Sequence, residues 1–216
     1  MQGSLSAFVV AMKNVFLTGE RGVGKSTIIN RYAGTLDYLP MGFQTILANP
    51  VGNGFEAVYI KPFGAALPCG NELASSHGGI AVAAMRGSSI EVAAARGSSI
   101  AVAAVRDRES REMKACKNAF DVTGAEILRL SRVPGRSGRP GLPGLVIMDE
   151  LGFLENEAFA FQGEVFKCLE CGIPVLGVLK AVSTPFLDTI RVRPDVRILE
   201  VTPENRERIF WELMGE

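Results

Sequence analysis

The sequence is poorest in the residues that most often announce a function. It has one histidine, His77, and four cysteines in 216 residues. A single histidine argues against a His-rich metal site. The cysteines do not read as zinc ligands: Cys168-Leu-Glu-Cys171 is a CxxC, but Cys69 and Cys116 lack partners at zinc spacing. Buried or half-buried thiols in a reducing compartment are expected instead. Neither charge is in surplus, with 23 Lys+Arg against 23 Asp+Glu. A protein that lives on nucleic-acid phosphates carries a basic excess, so nucleic acid is not an expected partner. No apolar run approaches the roughly 18 residues that a membrane-spanning helix needs. The short stretch Leu5–Met12 has no basic residue before it and makes a poor signal peptide. Met12 is an alternative start, because the chain after it runs directly into a strand and turn. The expected location is cytoplasmic. Aromatics are sparse at 7%, and no Asn-Lys-x-Asp base reader of a guanine switch occurs.

What is present points to a folded α/β protein. The chain is 47% apolar and 21% charged, which excludes a mostly unfolded polymer. At about 150 residues per domain, its length suits one domain with an insertion rather than two domains. Residues 13–18 read as a short buried strand, followed by a Gly-rich turn and a helix over 25–32. Residues 43–48 and 55–60 are β-rich and flank Asn49-Pro-Val-Gly-Asn-Gly54, the signature of a hairpin with a longer loop. From 145 onward strands and helices alternate: 145–148, helix 155–171 stopped at Gly172, strand 174–179, and strand 196–201. Thr184-Pro185 and Thr202-Pro203 each read as an N-cap with a proline at the first helical position. Such alternation marks a parallel sheet.

The middle of the chain is different. Three copies of a ten-residue unit run over residues 77–106, ending at Arg86, Arg96 and Arg106. Alanine, glycine and serine dominate, so the segment has little bulk with which to offset its ordering entropy. The expectation is an expanded surface loop inserted into the domain at about 77–106. The alternative is a small meander of Ile-x-Val-Ala-Ala strands joined by Arg-Gly-Ser-Ser turns. Residues 107–131 are expected to be helical, with Thr123 an N-cap. Residues 133–144, rich in glycine and proline, read as a flexible loop.

Two segments carry chemistry. Gly19-Glu20-Arg21-Gly22-Val23-Gly24-Lys25-Ser26, with Thr27 behind it, fits G-x-x-x-x-G-K-[ST] with a strand before it and a helix after it. Glycines let backbone N–H groups converge on phosphate oxygens, and the helix N-terminus adds its positive end. Lys25 reaches the terminal phosphates as a point charge, and the Ser26 hydroxyl suits Mg²⁺. The second segment is Leu145-Val-Ile-Met-Asp149-Glu150. An acid at the tip of a buried strand suits the Walker B role, with Asp149 toward Mg²⁺ and Glu150 as the base that orients or activates water. Lys180 ends the next strand, either solvated or near the γ-phosphate. Arg191, Arg193 and Arg206 are candidate arginine fingers. Arg132, Arg136 and Arg139 are candidates for a kinase lid.

With these motifs, Gly42-Phe43-Gln-Thr45, Val146-to-Gly152 followed by Leu154-Glu155, Arg193-Pro-Asp-Val and Val201-Thr-Pro-Glu-Asn-Arg206 resemble the THEP1-type nucleoside-triphosphatase family. The resemblance covers most of 13–214 and departs near 69–119. It implies a RecA-like P-loop NTPase fold, a three-layer α/β/α sandwich with a mostly parallel central sheet and an inserted hairpin or loop region. It further implies Mg²⁺-dependent hydrolysis of several nucleoside triphosphates, ATP and GTP among them, with Glu150 as the family's strand-end glutamate. A protein or RNA partner stays open. A nucleoside or nucleotide kinase, or a nucleotide-binding switch, is the alternative reading.

Overall fold

The computed structural model describes residues 14–48, 55–65, 83–86, 89–92, 100–133 and 144–215. The Met12 start, the loop over 49–54, Cys69, His77, and Arg136 and Arg139 with their loop lie outside these residues. The elements, in chain order, are β1 (Asn14–Thr18), α1 (Lys25–Ala33), β2 (Met41–Ala48), β3 (Phe55–Pro62), β4 (Ala83–Arg86), β5 (Ser89–Val92), β6 (Ala101–Asp107) and β7 (Met113–Ala115). A π-helical turn (Ala119–Gly124) then runs into α2 (Ala125–Ser131). The rest is β8 (Val146–Leu151), α3 (Phe159–Glu170), β9 (Val175–Leu179), α4 (Pro185–Arg191), β10 (Val196–Glu200) and α5 (Arg206–Met214).

Eight strands form one sheet in the order β10-β1-β9-β8-β2-β3-β6-β7. The first five are mutually parallel. From β2 outward the pairing is antiparallel, first with β3, then β6 and β7. Alternation along the parallel strands divides the core into two layers. Val15, Leu17, Ile147, Leu176 and Val178 pack under α1 and α5. Phe16, Val146, Met148, Val175 and Leu179 point the other way, under α2, α3 and α4. The result is the expected α/β/α sandwich. No helix among the described residues is long and apolar enough to cross a membrane.

Several local expectations need correction. The loop reading fails for the third copy of the repeat: Ala101–Asp107 is an interior strand between β3 and β7, with Ala101 to Val105 all buried. Side-chain bulk was the wrong test. Neighbours on both edges satisfy the backbone groups of β6, and small side chains let helices close over it. Earlier in the repeat, β4 and β5 pair in a separate antiparallel ribbon, Arg86 opposite Ser89, a piece of the meander alternative. The expected helix over 107–131 begins only at about residue 117; before it the chain makes a turn and the short strand β7. Thr123 is buried inside the π-helical turn and caps nothing; the helix simply continues through it. Instead the Asp121 carboxylate accepts from Phe161 N at 3.1 Å, in the first turn of α3.

The caps downstream divide. Thr184 accepts from Leu187 N at 3.2 Å with Pro185 at the first helical position. Thr202-Pro203 opens a turn rather than a helix. Asn205 holds that turn, accepting from Thr202 N at 2.8 Å and donating to Glu200 O at 2.9 Å, and α5 starts only at Arg206. In the CxxC, Cys168 is buried and Cys171 exposed at the end of α3. Burial pushes the Cys168 thiol up to about 12. No cluster of metal-ligating side chains occurs among the described residues.

Candidate active site

The site lies at the carboxyl ends of the parallel strands, where β1 gives way to the Gly-rich loop. Gly19 has φ 128°, and a Cβ there would meet Val201 O at 2.3 Å, so the turn admits only glycine. Of the nine residues expected to hold phosphate, Gly19, Glu20, Arg21, Gly22, Gly24, Lys25, Ser26 and Thr27 line a cleft of about 620 Å³. Val23 does not: its side chain is buried with Ile28 and Ile29 and anchors the loop from below. Lys25 Nζ donates to Gly19 O at 2.8 Å and Glu20 O at 2.6 Å. Burial pulls its pKa down, and the Glu150 and Asp149 charges oppose that.

Strand β8 brings the acids to the same place. Ser26 Oγ donates to Asp149 Oδ1 at 3.0 Å, across 123 residues of chain. Asp149 is 2% exposed, and burial pushes its carboxyl up to about 6, with the Ser26 hydrogen bond pulling the other way. Two oxygen donors converging from the loop and from β8, one on a desolvated carboxylate, are a donor set suited to a hard divalent cation. Glu150 follows at the cleft wall, its Oε1 3.0 Å from Lys180 Nζ. Lys180 is thus a cleft residue, placed there because β9 lies between β1 and β8.

Three further residues complete the wall. Thr45 brackets the acids, donating to Asp149 O at 3.5 Å and accepting from Glu150 N at 3.2 Å. It can do so because β2 lies hard against β8: a Cβ on Gly42 would sit 1.9 Å from Ile147 O. The Gly-Phe-x-Thr spacing therefore encodes a close strand approach, a core phenylalanine and a hydroxyl at the acids. Glu155 is 1% exposed and accepts from Gly152 N at 2.8 Å, holding the turn after β8; burial pushes its carboxyl up to about 7. Arg106, the last residue of the repeat, also faces the cleft. Glu155 and Thr45 stood inside quoted motifs without a role. Arg106 carried no signal that would separate it from Arg86 or Arg96.

The candidate fingers do not converge. Arg193 is held by Asp195 and Glu170. Arg191 is tied to Asp188 and the Lys180 carbonyl. Arg206 is exposed and lies against the loop, its Cδ 3.8 Å from where a Cβ on Gly24 would sit, but it does not line the cleft. Arg132 is paired with Glu164, away from the cleft.

A family model described as NTPase matches residues 85–214. The cancer-related nucleoside-triphosphatase homolog of Bos taurus is 29% identical over 213 residues, 94% of this chain and 95% of the relative. Two solved structures share the fold. THEP1 of the hyperthermophile Aquifex aeolicus aligns with a TM-score of 0.58 at 18% identity, covering 94% of this chain and 97% of that one. A human cancer-related nucleoside triphosphatase aligns with a TM-score of 0.59 at 21% identity, covering 94% and 96%.

Proposed function

The chain belongs to the NTPase family, and from that premise we propose that it is a Mg²⁺-dependent nucleoside-triphosphatase with loose base selectivity, releasing phosphate from ATP, GTP and other triphosphates. One observation carries the reading: the P-loop serine is bonded to the strand-end aspartate, and the next residue, Glu150, faces the cleft beside Lys180. Backbone N–H groups of the loop and the N-terminus of α1 bind the phosphates, and Lys25 supplies a point charge from within the loop. Ser26 and Asp149 would hold Mg²⁺, which neutralises charge on the phosphates when bound. Glu150 accepts a proton from the attacking water. Lys180, at 3.0 Å, keeps that carboxylate on the cleft side, and Thr45 fixes its backbone. Most of this is positioning and charge stabilisation rather than covalent chemistry. With Arg191 and Arg193 committed to other partners and Arg206 outside the cleft lining, turnover by the isolated chain is slow.

The test is phosphate release with Mg²⁺ and each of ATP, GTP, CTP and UTP, wild type beside Glu150→Gln. The expected result is release from several nucleotides by the wild type, and a rate lower by roughly 10²–10⁴ in a variant that still binds nucleotide. Binding without turnover by the wild type would overturn the hydrolase reading.

A further inference from the structure

The P-loop has a different neighbour on each side. Strands β9 and β8 lie on one side of β1 and bring Lys180, Asp149 and Glu150 to the cleft; β10 lies on the other side. A triphosphate whose terminal group points toward Glu150 therefore carries its nucleoside away from the acids, toward the end of β10. The loop and that end touch. Val201 N donates to Thr18 O at 2.8 Å, and Gly19 lies so close to Val201 O that no Cβ fits between them. The turn at 202–205 follows at once and leads into α5. Its polar side chains are directed back into the turn. Asn205 accepts from Thr202 N and donates to Glu200 O, and the Thr202 hydroxyl donates to the Glu204 carboxylate. On α5, Glu207 pairs with Arg31 at 2.7 Å and Arg208 with Glu212 at 3.7 Å. Arg206 is the exception. It is exposed and makes no hydrogen bond or ion pair with any described residue. Its Cδ, 3.8 Å from where a Cβ on Gly24 would sit, puts the stem along the outside of the loop, one residue before Lys25.

Resting on the nucleoside-triphosphatase reading, we propose that Arg206 forms the base subsite, its guanidinium stacking on the nucleobase of the bound triphosphate. A guanidinium is planar and weakly hydrated, and it stacks on aromatic faces where a lysine would only place a point charge. Every base has such a face, so the contact accepts all of them and holds the larger purines more firmly. Edge recognition would need donors and acceptors aimed outward, and those of Thr202, Glu204 and Asn205 bond within the turn. A base held by its face and not by its edge gives the loose selectivity proposed above. The apolar part of the cleft, with Leu47, Val58 and Met113, lies beyond β8, on the terminal-phosphate side. Arg206 thus governs how tightly the nucleotide is held, while Glu150 and Lys180 govern the release of phosphate.

The experiment uses the full chain with Mg²⁺. Equilibrium dialysis with the β,γ-imido analogues of ATP, GTP, CTP and UTP gives dissociation constants that turnover does not disturb. Inorganic tripolyphosphate is the companion probe, with phosphates and no base. Arg206→Ala is expected to raise the Kd of the ATP and GTP analogues by about three- to tenfold, to raise those of CTP and UTP less, and to leave tripolyphosphate within about twofold. In phosphate release the loss is expected in KM for ATP and not in kcat. Arg206→Tyr, which keeps a flat face without the charge, is expected to recover most of the affinity; a tyrosine variant as weak as the alanine one overturns the stacking. Equal weakening of tripolyphosphate makes Arg206 a phosphate ligand and overturns the base subsite. A fall in kcat at unchanged KM makes it an arginine finger and does the same. So does an Arg206→Ala chain that binds the analogues normally while Leu47→Lys does not, which puts the base on the apolar side of the cleft. Analogues that bind with the expected Arg206 dependence, with no triphosphate turned over, keep the base subsite and overturn the hydrolase reading. No binding of any analogue overturns both.

Discussion

The sheet is two structures sharing strand β2. On one side, β10, β1, β9, β8 and β2 run parallel and deliver the P-loop, the Asp149-Glu150 pair and Lys180 to one edge. On the other, β3, β6 and β7 run antiparallel and deliver Val58, Arg106 and Met113 to the same cleft. The parallel side is built from bulky β-branched and aromatic strands, such as Asn14-Val-Phe-Leu-Thr18 and Val175-Leu-Gly-Val-Leu179, covered on both faces. At the heart of the antiparallel side lies Ala-Val-Ala-Ala-Val, the residue of a repeat. Burial is similarly complete on both sides, so bulk alone does not decide what becomes an interior strand. A strand of small residues is buried when neighbours already stand on both of its edges.

The sharpest way to break this comparison is to make the third copy resemble the second. Glu91 occupies the position in copy two that Ala101 occupies in copy three, and Ala101 is 1% exposed. Ala101→Glu would place an unpaired carboxylate in the sheet, costing about 3–5 kcal/mol or more, and the chain is expected to lose its cooperative melt. A surface loop would ignore the substitution. Next in size is the joint between the halves. Phe161 on α3 touches Phe43 of β2 at 5.3 Å and Phe120 of the π-helical turn at 5.4 Å between centroids. Phe161→Ala is expected to cost about 3–5 kcal/mol, and chemical denaturation should show both halves unfolding together. Two separate transitions would show that the halves are independent.

Glu155 offers a pH test confined to the parallel side. Its carboxyl is raised to about 7 by burial, above its ordinary value, so the folded state binds its proton more tightly than the unfolded chain does. Its contribution to stability is intact below the ordinary value and is lost as pH rises through the folded value. The melting temperature of Glu155→Gln is therefore expected to gain on wild type between pH 5 and pH 8; a constant difference would contradict the burial. Smallest is Thr184→Ala, which removes the bond to Leu187 N and should lower stability by about 1 kcal/mol, read as a shift in denaturation midpoint. The corresponding Thr202→Ala should do less, since Asn205 supplies both side-chain bonds to the backbone of the turn before α5.

Much of the candidate site could be read from local spacing because its geometry is local. A glycine-rich turn between a strand and a helix brings backbone N–H groups together at a helix N-terminus, and an Asp-Glu at the end of an apolar run falls at a strand tip. The sequence by itself determined the glycine-rich turn, the position of the acids, the parallel strands and the order of most elements. Only the tertiary structure decided which strands are neighbours. It brought Lys180 to 3.0 Å from Glu150 and Thr45 onto the Asp149-Glu150 backbone. It also gave one repeated unit two fates, with Ala-Ala-Met-Arg and Ser-Ile-Glu-Val in a ribbon and Ala-Val-Ala-Ala-Val-Arg in the main sheet. Near-identical decapeptides have near-identical local preferences. What separates them is the set of long-range partners each one finds, which no window of sequence contains.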